Sequence, residues 1–174
     1  MNPSTELFGP IIALLAEKRV NAVVIGGAAA IALGVAYTTR DVDICYDVGR
    51  ENIERLIEAL HAVNARLRVA RMSDDEARKL PLLLDVQLFR NNQMLTLQTD
   101  LGPLDLLRDV PGIGGYEAVM AASAEVEAFG MRFWALDLPG LIVNKTATAR
   151  AKDIAALPLI EAALRERELQ QFES

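Results

Sequence analysis

The chain has 174 residues, 52% of them hydrophobic, with 18 Lys and Arg against 24 Asp and Glu for a net charge of −6. This length suits one domain with a real hydrophobic core, and no window holds the roughly 18 consecutive apolar residues of a membrane span. The acidic balance disfavours broad, charge-driven binding of nucleic acid, leaving a small molecule, a nucleotide or a protein as the expected partner.

The opening MNPSTELFGPIIALLAEKRV has no basic stretch before its apolar run and carries Glu6 and Glu17, so a secretory signal is not expected and the location reads as cytoplasmic. Apolar residues at helical spacing (Leu7, Ile11, Ile12, Leu14, Leu15), behind Ser4 or Thr5 as N-cap, predict a helix over 4–18. Residues 21–25 end in Val23, Val24 and Ile25, the pattern of a strand covered on both faces. An alanine-rich helix over 28–33 follows, closed by Gly34. Alternation predicts a strand over 41–47 with Cys45 buried in it. This single thiol, with His61 as the lone imidazole, makes neither a disulfide nor a convincing cysteine or zinc centre. Residues 50–63 form a helix with Ile53, Leu56, Ile57 and Leu60 on one stripe.

The polar loop RMSDDEARKLP leads into runs at 82–89 and 94–99 around RNNQ, which predict a hairpin, and the short strand GPLDLL follows at once. After VPGIGG come a helix near 115–122 and a second hairpin, EVEAFGMRFWAL, turning at Gly130. Its Phe129, Phe133 and Trp134 are expected in core or sheet packing. Two helices near 139–151 and 153–171 end the chain. Elements alternate without strict βαβ order, so the fold class is α+β, or mixed α/β. A single domain is expected, with a core over about 1–136 and a helical part over about 137–174.

Two features carry chemistry. A strand that runs into Gly26-Gly27 and then a helix either offers bare backbone N–H groups to a phosphate or is a tight turn that needs glycine. The spacings of a P-loop and of G-x-G-x-x-G are both absent. In a strand, Asp41 and Asp43 would share one face, with Cα atoms about 6 to 7 Å apart, while Val42 and Ile44 face the other way. Two carboxylates on one face repel unless a cation lies between them. Hard oxygen donors suit Mg²⁺, and a pair of such ions supports phosphoryl or nucleotidyl transfer.

The glycine pair, thirteen residues, then DVD resembles the signature of the nucleotidyltransferase fold superfamily, which includes polymerase β-like enzymes, antibiotic nucleotidyltransferases and the minimal nucleotidyltransferases of toxin–antitoxin pairs. The resemblance covers residues 23–47 and, less fully, 94–107. It implies a small mixed sheet flanked by helices, Gly26 and Gly27 facing a triphosphate, and Asp41 and Asp43 binding divalent metal, with two Mg²⁺ ions expected. It also implies a third acid on a neighbouring strand. Asp105, between Leu104 and Leu106, is favoured over Asp85, while Asp100 beside Gly102 and Pro103 reads as a turn-capping aspartate.

Basic residues should meet the phosphates. Arg40 leaves a strand from the face opposite the acids, so it either reaches around or is a surface cation. The stretch LIVNKTATARAKDIAALPLI is similar to a helical segment that follows the core in small bacterial families of this fold. On one continuous helix Lys145 and Lys152 would share a face, with Arg150 about 180° from Lys152. Lys145 is the phosphate-contact candidate, Asp153 an N-cap for the last helix, and Thr38 and Thr39 loop formers.

The expected activity is Mg²⁺-dependent transfer of NMP from an NTP such as ATP to an unidentified hydroxyl, with Asp105 or a metal-polarised group assisting deprotonation. The alternative is a non-catalytic nucleotide-binding or interaction module, such as one half of a toxin–antitoxin pair with a protein partner. Exposed hairpins or terminal helices leave room for a homodimer.

Overall fold

A computed structural model of the chain describes residues 3–172. Its centre is a seven-stranded mixed sheet, built around β1 (Ala22–Ile25) and β2 (Val42–Tyr46), which run antiparallel. Between them, α2 (Gly26–Ala32) starts directly at the end of β1, and its Ala28, Ala29 and Ala30 are fully buried, so side chains of minimal size let the helix seat closely on the sheet. Gly34, at φ +88, closes that helix as expected.

Two amphipathic helices supply much of the apolar cover. α1 (Pro3–Glu17) buries Phe8, Ile11, Ile12 and Leu15, and α3 (Arg50–Ala62) buries Ile53, Leu56, Ala59 and Leu60. A short β3 (Arg66–Leu67) and a one-turn α4 (Asp74–Ala77) come next, neither of them anticipated from sequence.

The run at 82–89 is not a strand. Asp85 caps a helix, α5 (Val86–Asn91), by accepting the Leu88 N–H at 2.8 Å. The hairpin instead joins β4 (Met94–Thr99) to β5 (Gly102–Leu107), turning through Asp100 and Leu101 to Gly102 at φ +122. β5 lies parallel to β2 with Asp43 opposite Asp105. The VPGIGG segment carries a two-stranded ribbon, β6 (Asp109–Val110) and β7 (Gly114–Gly115), before α6 (Tyr116–Ala121).

β8 (Ser123–Ala128) and β9 (Met131–Leu136) form the second hairpin, and β9 joins β1 in parallel at Val24 and Ala135. The strand order is β3-β4-β5-β2-β1-β9-β8. Trp134 projects from the same face of β9 as the exposed Arg132, so it stays 42% exposed and is not a core residue, while Phe129 is buried against Phe8. The chain ends in α7 (Leu138–Thr148) and α8 (Ala151–Phe172), broken by Ala149 in the left-handed region at φ +50. Among the described residues no helix is long and apolar enough to cross a membrane.

Candidate active site

The site forms where the end of β1 lies beside the start of β2, with the middle of β5 on the other side of β2. Asp43 lies in register with Ile25 on one side and Asp105 on the other. Residues in such a row project from the same face, so the strand pairing itself brings the two carboxylates together. Asp41 sits one residue before β2, outside the strand, yet lines the same cavity of about 430 Å³.

The glycine pair makes that crowding possible. Gly26 has φ +62, and a Cβ there would collide with Oδ2 of Asp43. A Cβ on Gly27 would come within 2.7 Å of both Thr39 and Tyr37. Both glycines therefore serve close packing, of the acid on one side and of the 37–39 loop on the other, and no side chain caps the first turn of α2.

Burial of Asp43 raises its pKa to about 7, with Asp105 and then Asp41 adding repulsion and Lys152 and Lys145 opposing it. Asp105, 6% exposed, is also raised, first by burial and then by Asp41, against the pull of Arg68. Arg68 bridges the outer two acids: one guanidinium nitrogen lies 3.0 Å from Asp41 and the other 2.5 Å from Asp105. Among the described residues no side chain donates a hydrogen bond to Asp43, and no three His, Cys, Asp or Glu side chains are set to hold a metal as they stand. The donor chemistry nonetheless fits Mg²⁺: three carboxylates converge on one cavity wall, and Asp43 lacks a contacting cation.

The same cavity is also lined by cations, which come from the α7–α8 junction. Lys145, 5% exposed, donates to Asp153 at 3.0 Å and lies 5.3 Å from the Tyr37 ring centroid. Asp153 is 1% exposed and is not an N-cap; its carboxylate accepts from the side chains of Lys145, Thr148 (2.9 Å) and Arg150 (2.6 Å). Burial works against its ionisation, but these three donors hold its pKa well below the ordinary carboxylate range. Arg150 and Lys152 also line the cavity.

No protein-family model matches the chain, and no curated protein matches its sequence. Among solved structures, the solution structure of the antibiotic-resistance factor ANT(2'')-Ia, an aminoglycoside nucleotidyltransferase, aligns over 97% of this chain and 95% of that one, with TM-score 0.54 and 15% sequence identity. The chain shares the overall fold of that nucleotidyltransferase.

Within that fold, Gly26, Gly27, Asp41, Asp43, Asp105 and Lys145 meet at one cavity. Arg40 does not; it is exposed and is not part of the lining. Asp85 is used as a helix cap, and Asp100 bonds Asn64 and Arg66 at the surface. Lys145 and Lys152 belong to different helices, so they share the cavity through the turn between α7 and α8 and not through a common helical face. Two residues were missed from sequence, Arg68 and the anchoring role of Asp153. The alternation of Arg66 and Arg68 in NARLRVA, two cations spaced like Asp41 and Asp43, was the available signal for the first.

Proposed function

We propose that the chain is a Mg²⁺-dependent nucleotidyltransferase that moves NMP from an NTP to a hydroxyl acceptor and releases pyrophosphate. One observation carries this reading: carboxylates from β2 and β5 and the cations Lys145, Arg150 and Lys152 line a single cavity. That polarity suits a metal-bound triphosphate, whose charge needs cations on the far side from its metal ligands. Asp41, Asp43 and Asp105 would hold the metal, which when bound polarises the phosphate and lowers the pKa of the attacking hydroxyl.

The chain's own residues do the rest. The Lys145 ammonium has three donors and gives one to Asp153, leaving two for phosphate oxygens in a place fixed by that ion pair. Arg150 and Lys152 add charge at the mouth. The acceptor oxygen attacks the α-phosphorus, the bond to the bridging oxygen breaks, and the hydroxyl proton passes to a carboxylate of the cluster.

The test is a thermal-shift titration with each NTP, with and without Mg²⁺, on the wild type and on an Asp41→Ala, Asp43→Ala variant, followed by a pyrophosphate-release assay over hydroxyl acceptors. Ligand at one hundred times its Kd stabilises the fold by about 2.7 kcal/mol. A Mg²⁺-dependent shift that the variant loses is the expected result; no shift with any nucleotide refutes the reading.

A further inference from the structure

Arg68 stands at the end of a row that runs straight across the sheet. Its backbone N–H donates to Thr96 O at 2.9 Å, Thr96 is the register partner of Asp105, and Asp105 is the register partner of Asp43. Cross-strand partners share a face, so Arg68, Thr96, Asp105 and Asp43 project together. Thr96 is short, and its hydroxyl turns back to Arg68 O at 3.4 Å. The arginine side chain can therefore pass over it to reach Asp105 on β5 and Asp41 beyond, at the two distances given above.

A guanidinium is a permanent cation with a rigid fork of donors that matches carboxylate oxygens. Here the fork is split between the two acids that flank Asp43. It takes one oxygen of each, Oδ2 of Asp41 and Oδ1 of Asp105, in two of the three carboxylates that a divalent ion would use, and its charge opposes a second cation at the same acids. We infer that Arg68 is a resident counter-cation of the acid cluster, with which a divalent metal competes for Asp41 and Asp105. The inference rests on the metal-dependent reading above and adds to it a residue that makes metal binding competitive.

Two consequences follow from that competition. In metal-free protein Arg68 relieves the repulsion that three converging carboxylates would otherwise impose. It also weakens the site for a bare ion, so that a metal arriving already bound to a triphosphate, with further contacts on the cationic wall, has the advantage.

The experiment is a calorimetric or electron-paramagnetic titration of Mn²⁺ into the full chain without nucleotide, comparing wild type, Arg68→Gln, Arg68→Lys and Asp43→Asn. Arg68→Gln is expected to bind Mn²⁺ about tenfold more tightly than wild type, because charge-assisted hydrogen bonds to two carboxylates no longer compete. It is also expected to melt earlier without metal and to recover on adding Mn²⁺. Arg68→Lys, a point charge without the fork, is expected to bind about threefold more tightly, and it carries the test alone if the Gln variant fails to fold.

A purely structural arginine would lower stability without raising metal affinity. Mn²⁺ binding that depends on Asp43 but is unchanged or weaker in both Arg68 variants overturns the inference and leaves nucleotidyl transfer standing. Absence of Mn²⁺ binding in every protein, or binding that survives in Asp43→Asn, overturns the metal reading and the inference with it.

Discussion

Asp43→Asn should make the metal-free protein more stable. The carboxyl is packed onto Gly26 and lies beside Asp105, and its pKa rises from 3.8 to about 7. Below pH 3.8 folded and unfolded chains both hold the proton. Between 3.8 and about 7 the unfolded chain releases it while the folded chain keeps it, so stability falls as pH rises; above 7 the loss is complete.

At roughly 1.4 kcal/mol per pKa unit the full effect approaches about 4 kcal/mol. Solvent at the cavity mouth and the unpaired amide of the substitute reduce the expected gain to about 1 to 3 kcal/mol at pH 8. The gain should shrink to about 0.6 kcal/mol or less near pH 4, where the folded carboxyl is neutral and the unfolded one only a little over half ionised. Urea unfolding in the presence of a chelator, at both pH values, reads it as a change in midpoint at constant m. A variant that is no more stable than wild type at pH 8, or a difference that does not change with pH, would refute the placement of Asp43 as a strained, unpaired acid.

Asp153→Ala should be strongly destabilising, because it leaves the Lys145 ammonium buried without its partner; breaking a buried pair from one side costs about 3 to 5 kcal/mol, and a loss below about 1 kcal/mol in denaturant unfolding would count against the pair. The depressed pKa of Asp153 also fixes a sign: its contribution is present above the ordinary carboxylate pKa and is lost as acid protonates it, so the gap between wild type and variant should close at low pH. Asp85→Ala should lose about 1 kcal/mol from an uncapped α5 and leave Mg²⁺-dependent nucleotide binding intact; loss of that binding would return Asp85 to the site.

The elements that sequence made legible are those whose pattern is local and whose burial is one-sided or complete. Val23, Val24 and Ile25 read as a buried strand and form one, and the stripe of Ile53, Leu56 and Leu60 is the buried face of α3. The misreading at 82–89 has a physical origin. Short apolar runs look alike as strand or buried helix, and what decided between them was the capping bond of Asp85 together with the choice of β5, not this run, as partner of β4. β3 is two residues long and carries no period at all. Trp134 alternates as a strand residue should, but alternation alone does not say which of the two faces is covered, and Trp134 shares the open face with Arg132.

The site divides along the same line. Asp41 and Asp43 were visible because they lie two residues apart at the mouth of one strand, and Asp105 because a lone acid between leucines is costly without a reason. Their meeting depends on a parallel register between strands separated by the whole segment from α3 to β4, which no local pattern encodes. The positive charges are less legible still. Lys145 reads as a free hook on a helix, yet the fold commits it to Asp153, and the turn at Ala149 brings Lys152 to the same wall from a different helix. Arg68 shows why. A cation is chosen by where acids converge in space, and sequence separations of 27 and 37 residues to Asp41 and Asp105 leave only its alternation with Arg66 as a trace. The acids thus define the site in sequence, whereas the counter-charges that tune it are defined by the fold.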